Sequence, residues 1–322
     1  MKTRILLTTT SFQDTPGEHH AMLERTGFEV VRDRGPLPEA RMLDLVAQGD
    51  FDGWIIGDDA ITRAVIEKSL PRLKVISKYG IGLDKVDLKA ATELKVPVCF
   101  CPGVNHTTVA EHTFGLLLAL SRDLVSACNL VRRGEWKRAT GHELMGKTLA
   151  VLGMGRIGKE VALRARAFSM HVIGFDQYWD FDFARHFGVA RVETVDEAIQ
   201  HADVITLHMN LSPETKNLIN ARRIAKMKKD AIILNTARGE LVDSAAIAKA
   251  LQEKRLGGYG ADVLEQEPPP KDHPLFGCPN AVLTPHIGSR TYESVARQAG
   301  MAAQNLIRVL NGQPALAQAN KV

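Results

Sequence analysis

Cysteine is scarce in this chain, aromatic residues are thin, and no single sign of charge dominates. Four cysteines (Cys99, Cys101, Cys128, Cys278) among 322 residues are too few and too irregularly spaced for a disulfide framework. The pair at 99 and 101 lies in the apolar run VPVCFC, and no second Cys/His pair follows at zinc spacing, so no metal centre is expected. The formal charge is only +4, and its basic stretches (Arg132-Arg133 with Lys137-Arg138, Arg222-Arg223 with Lys226, Lys228 and Lys229) read as solvated helix faces. With aromatics at 6% and no series of them set among those bases, a nucleic-acid stacking platform is not expected. Long apolar runs are missing too. The longest, Phe114–Leu120, falls far short of the ~20 residues that span a bilayer. The start, MKTRILLTTT, reads as a first strand and lacks the longer apolar core of a signal peptide. The expectation is a cytoplasmic protein with reduced thiols and no membrane contact.

What is present is an alternation of short β-rich runs with helical patterns, which predicts an α/β protein with parallel sheets covered on both faces. Strands are expected at 5–9, 28–31, 53–56, 75–78 and 96–100, separated by helices at 18–25, 38–48, 62–69 and 88–94. A longer helix from about Thr108 to Leu120 is apolar all round and is expected to be buried. A second set of strands follows at 148–152, 171–175, 204–207, 232–235, 260–263 and 282–284. A last helical pattern, 291–310, has no strand after it and is expected to return to the first domain. The length favours two domains. The expected architecture is two doubly wound domains: residues 1–102 with 290–322 bind substrate, and a Rossmann domain, 103–289, is inserted into that flavodoxin-like fold.

The strongest local motif is Gly153-Met154-Gly155-Arg156-Ile157-Gly158. It follows the strand KTLAVLG and opens a helix that leads to a second strand, HVIGFD, which is the setting a dinucleotide fingerprint requires. Gly153 permits the tight turn, Gly155 admits a pyrophosphate, and Gly158 lets helix and strand pack closely. Arg156 and Ile157 begin the helix whose free N–H groups and dipole favour that anion. Asp176 ends the second strand, 18 residues beyond Gly158; a carboxylate there accepts ribose hydroxyls and repels a 2′-phosphate, which favours NAD over NADP.

Three further residues stand at or just past the ends of predicted strands: Arg238 in NTARGELVD, Glu267 in EQEPPP and His286 in TPHIGS. Read singly, each has a plainer role as a surface arginine, a turn glutamate or a strand-capping histidine. Together they suit hydride transfer at a carbonyl carbon. An imidazole exchanges the proton, a carboxylate beside it raises its basicity and fixes its tautomer, and a guanidinium grips a carboxylate at two points.

With these residues in view, the sequence resembles the D-isomer-specific 2-hydroxyacid dehydrogenases over nearly its whole length, and among them the D-3-phosphoglycerate dehydrogenases and the glyoxylate or hydroxypyruvate reductases. The resemblance is carried by KYGIGLDKVD (78–87), GVNHTTVAEHTFGLLLAL (103–120), GKTLAVLGMGRIG (146–158), NTARGELVD (235–243), GADVLEQEP (260–268) and TPHIGS (284–289). It implies His286 as general acid/base with Glu267 as its partner, and Arg238 on the substrate. It implies Asp262 and Thr108 near the nicotinamide end of NAD(H), with Thr236 and Ala237 lining the cofactor, and the backbone of Gly80-Ile81-Gly82 on the substrate carboxylate. It also implies a homodimer joined through the nucleotide domain, including the helix that begins near Thr108. Lys78 is expected either to meet a distal phosphate or carboxylate of the substrate or to be a solvated strand-end lysine.

The pattern departs from the family's in two places: Ser289 replaces a common glycine and adds a hydroxyl near the nicotinamide, and His208-Met209-Asn210 replaces a common His-x-Pro. The chain stops 36 residues after His286, so a C-terminal regulatory module like that of longer phosphoglycerate dehydrogenases is not expected. Two rival readings use the same residues: an NAD-sensing corepressor, and a phosphite- or formate-type dehydrogenase.

Overall fold

The computed structural model describes residues 2–322. It divides into two compact units, Met1–Asn105 with Arg290–Val322, and His106–Ser289.

The first unit is a five-stranded sheet. Its strands are β1 (Arg4–Leu7), β2 (Glu29–Arg32), β3 (Gly53–Ile56), β4 (Val75–Lys78) and β5 (Val98–Cys99). All pairings are parallel, in the order β2-β1-β3-β4-β5. Helices α1 (Thr10–Asp14), α2 (Glu18–Glu24), α3 (Glu39–Gln48), α4 (Arg63–Lys68) and α5 (Leu88–Glu93) make the crossovers. Central strands β3 and β4 are buried at every position, because helices cover both faces of a parallel sheet. Met42, Val46, Val65, Ile66 and Ala90 from α3–α5 fill one side. The C-terminal helix Tyr292–Leu310 fills the other with Val295, Ala299, Ala302, Ala303 and Leu306. The polar segment after that helix pairs with the sheet edge. Cys99 bridges Gln318 antiparallel, Asn320 Oδ1 accepts from Val98 N, and Asn320 Nδ2 donates to Val96 O. An edge closed in this way offers no row of unpaired amides to another chain.

The second unit is a seven-stranded parallel sheet: β6 (Thr148–Leu152), β7 (His171–Phe175), β8 (Val189–Arg191), β9 (Val204–Leu207), β10 (Ala231–Asn235), β11 (Leu256–Ala261) and β12 (Ala281–Leu283). The order is β12-β11-β10-β9-β6-β7-β8, so the winding reverses between β6 and β9. Ligands of open α/β sheets bind at the carboxyl ends of strands beside such a reversal. The helices are α6 (His106–Ser121), α7 (Leu124–Arg132), α8 (Arg156–Ala167), α9 (Phe181–Phe187), α10 (Val195–His201), α11 (Ala221–Lys226) and α12 (Ser244–Gln252). Ile199, Ile224, Ile247 and Leu251 of α10–α12 pack on one face; Phe114, Leu117, Val161 and Ala165 of α6 and α8 pack on the other. No single helix among the described residues is long and apolar enough to cross a membrane, and the consecutive α6 and α7 bend by 64°.

Candidate active site

At the end of β6 the chain turns at Gly153, whose φ of +101° suits glycine, and a Cβ there would lie 2.6 Å from the carbonyl of His208. At Gly158 a Cβ would fall 2.0 Å from the Gly153 oxygen, so the β6–α8 turn closes only with glycine at that position. Around Gly155 nothing lies within 4 Å of a built Cβ. The next helices, α9 to α12, are each capped by a side chain, from Asp180, Thr194, Asn220 and Asp243. Helix α8 has Gly155 at its N-cap and so no side-chain cap, which leaves its first N–H groups for an anion. Asp176, just past β7, braces this turn. Its Oδ2 accepts from Met154 N at 2.6 Å and its Oδ1 from Tyr178 N at 2.8 Å. Glycine turn, uncapped helix and strand-end carboxylate together fit a dinucleotide.

Arg238, Glu267 and His286 follow β10, β11 and β12, three neighbouring parallel strands. His286 Nδ1 and Glu267 Oε2 are 2.7 Å apart, with both side chains about one-third exposed. Glu267 Oε1 accepts from Leu264 N at 3.1 Å, so the carboxylate is held from both ends. An ionised carboxylate only accepts, so Nδ1 carries the proton and Nε2 is the nitrogen left to exchange one. Arg238 leaves β10 through a turn shaped by the buried Asn235, whose Nδ2 donates to Arg238 O at 2.8 Å and whose Oδ1 accepts from Ala237 N at 3.1 Å. Gly239 then presses on the loop that leads to Glu267. A Cβ there would sit 2.0 Å from the Leu264 carbonyl carbon, so the Arg238 and Glu267 loops touch.

The remaining expected residues occupy varied surroundings. Thr236 Oγ1 is 3.0 Å from Thr113 Oγ1 of α6, and Thr108 near the start of that helix is buried. Ser289 is half-buried at the end of this unit. Asp262 is 3% exposed. It accepts from Thr284 Oγ1 (2.6 Å), Ile287 N (2.9 Å), Gly288 N (2.7 Å) and, at 3.3 Å, His112 Nε2. Burial alone would push this carboxyl up, but those donors outweigh it and hold it below the usual carboxylate range. In the first unit Lys78 is 3% exposed, so it is not a solvated lysine. Its Nζ donates to Asp58 Oδ1 at 2.8 Å and to Tyr79 O at 3.3 Å, and lies 3.9 Å from where a Gly80 Cβ would be. Gly80, at φ +115°, opens the Gly80-Ile81-Gly82 loop, and its carbonyl accepts from Cys101 N. Burial pushes the Cys99 and Cys101 thiols up to about 12 and about 11, which removes them as nucleophiles.

Sequence reasoning missed the residues that hold this set in place: Asn235, Thr284, His112, and the pair Glu265 and His273. Glu265 accepts from Ser244 Oγ at 2.7 Å and meets His273 Nε2 at 3.2 Å, steadying the loop before Glu267. Asn235 carried a local signal, since a strand-end Asn before a turn bonds its own backbone. His112 carried none, because its partners lie 150 or more residues away.

Comparison with known proteins identifies the family. A family model described as "D-isomer specific 2-hydroxyacid dehydrogenase, NAD binding domain" matches residues 114–288. A D-3-phosphoglycerate dehydrogenase of Methanocaldococcus jannaschii is 44% identical over 79% of this chain, which spans about half (48%) of that protein. A glyoxylate reductase of Korarchaeum cryptofilum is 36% identical over 97% of this chain and 94% of its own length. Among solved structures, the TT0316 protein of Thermus thermophilus superposes with a TM-score of 0.89 at 40% identity, covering 98% of this chain and all of that one.

Proposed function

This chain belongs to the D-isomer-specific 2-hydroxyacid dehydrogenase family, and we propose that it interconverts a small 2-oxo acid and the D-2-hydroxy acid with NAD(H). The observation that carries the reading is the 2.7 Å contact of His286 with Glu267 at the ends of adjacent strands. NADH, when bound, supplies the hydride that reaches C2. The glycine turn and the open start of α8 hold its pyrophosphate, and Asp176 takes the ribose hydroxyls. Arg238 grips the substrate carboxylate or carbonyl oxygen at two points. His286 Nε2 gives a proton to the carbonyl oxygen as the alcohol forms, and Glu267 stabilises the charged imidazole beforehand. In oxidation the neutral ring accepts that proton. Asp262, Thr108, Thr236, Ala237 and Ser289 border the nicotinamide side.

Lys78 is buried, and its charge is already matched within its own unit by Asp58 and the Tyr79 carbonyl. That favours glyoxylate or hydroxypyruvate over 3-phosphoglycerate and its oxo partner. Four unpaired thiols suit the reducing cytoplasm. We infer a homodimer joined through α7, which leaves Leu124, Val125 and Val131 exposed.

The test is an NADH-oxidation panel of glyoxylate, hydroxypyruvate, phosphohydroxypyruvate and pyruvate, with NAD reduction by formate and phosphite run beside it. His286→Asn is expected to cost about 10²- to 10⁴-fold in kcat. Reduction consumes a proton and oxidation releases one, so rising pH favours oxidation. Turnover of formate or phosphite alone, or an unimpaired His286→Asn variant, overturns the assignment.

A further inference from the structure

His112 has no part in the chemistry above, yet it is tied to the loop that carries the reacting imidazole. It lies on α6, and its Nε2 is 2.9 Å from Thr284 Oγ1 and 3.3 Å from Asp262 Oδ1. The Thr284 hydroxyl has one proton, directed at Asp262 Oδ1 2.6 Å away, so it can only accept from His112. His112 Nε2 is therefore the donor. Asp262 passes the constraint on: its oxygens receive the amides of Ile287 and Gly288, the two residues after His286, and its carbonyl receives the His286 amide at 2.8 Å.

Between those anchors His286 takes a φ of +52°, a left-handed conformation that a non-glycine residue keeps only where its surroundings impose it. The packing leaves little slack. A Cβ on Gly288 would stand 2.8 Å from Asp262 Oδ2 and 3.5 Å from His112 Cδ2. Without a donor at 112 the Thr284 hydroxyl loses the bond that orients it, and the Ala261 carbonyl, 3.5 Å away, competes for its proton. The Asp262 carboxylate then loses the His112 contact and, when the hydroxyl turns, the Thr284 bond as well. It is freed to rotate away from the two amides.

We propose that His112 is a positioning residue for His286, acting through Thr284 and Asp262 on the pitch of residues 286–288. The proposal rests on the reading of His286 as the acid–base group, and the experiment separates the two.

Five variants are compared with wild type: His112→Leu, His112→Gln, Thr284→Val, the double variant His112→Leu/Thr284→Val, and His286→Asn. Single-turnover NADH oxidation reads hydride transfer, NADH fluorescence reads cofactor affinity, and amide hydrogen exchange of Ile287 and Gly288 is followed without cofactor. His112→Leu is expected to slow hydride transfer about 10- to 100-fold, the order of loss that small misplacements cause, with faster exchange at both amides. His112→Gln, which keeps an N–H near the Nε2 position, restores most of the rate and the protection. Thr284→Val mimics His112→Leu, and the double variant is no slower than Thr284→Val alone. A wild-type rate in His112→Leu, no recovery with Gln, or additive losses in the double variant overturns the proposal. If His112→Leu does not fold, the Gln and Thr284→Val variants decide. An active His286→Asn enzyme overturns the acid–base reading instead, a result the other variants cannot produce.

Discussion

His208 follows β9 with Nε2 2.8 Å from Thr206 Oγ1, while its Nδ1 is buried with no hydrogen-bond partner among the described residues. Burial pushes this imidazole down to about 3, against 6.5 for an ordinary histidine. The sign for stability follows from linkage. The folded state resists protonation and the unfolded state does not, so the contribution is complete above pH 6.5 and is lost as pH falls toward 3. By pH 5 the loss is expected to reach roughly 1 to 2 kcal/mol. Urea midpoints measured at pH 7 and pH 5 check this, since His208→Gln should flatten that part of the pH dependence. The residue also abuts the nucleotide turn, because its carbonyl lies where a Gly153 side chain would point. Acid loosening at position 208 is therefore expected to weaken NADH binding before the rest of the second unit unfolds.

Among elements, the β6–α8 turn has the least tolerance. Gly158→Ala forces a methyl onto the Gly153 carbonyl. An overpacked site of this kind costs about 1 to 3 kcal/mol, and a displacement of the turn by even the lower part of that range weakens NADH binding about tenfold. Titration of NADH fluorescence tests it, and unchanged affinity contradicts the assignment of this turn to the pyrophosphate. Elements with strong periodicity could be read before any coordinates. Strands β3, β4, β6, β7 and β9 lie at the residues expected, because short apolar runs between turn residues have few other ways to be buried. Others were silent for identifiable reasons. Only one of the three residues of β8 is buried, and α7 buries none, so neither shows a pattern. Strand β11 begins at Leu256, four residues earlier than expected. Gly257 and Gly258 hide it, and Gly257 is required where a Cβ would lie 2.3 Å from Asp230 O. Arg238, Glu267 and His286 were legible because a parallel sheet sends strand ends to one edge. Their supports were not, since contacts such as His112 with Thr284 are made by tertiary packing.

At the scale of the whole molecule, two features bear on assembly. Helix α7 exposes Leu124, Val125 and Val131, and Trp136 beyond it is 77% exposed. This strip is the surface through which the proposed dimer would form. Leu124→Asp combined with Val131→Asp is expected to halve the mass seen by light scattering while leaving each unit's fold, by circular dichroism, unchanged. A monomeric wild type refutes the dimer.

The second feature is the split origin of the first unit, whose sheet is covered on one face by a helix from the far end of the chain. From a ribosome making this protein, all of residues 106–289 emerge before Val295, Ala299 and Leu306 emerge to cover Ile5, Ile55 and Val75. The later-encoded lobe is thus free to finish first. The earlier one waits with bare hydrocarbon on its sheet, a period in which a chaperone has something to hold.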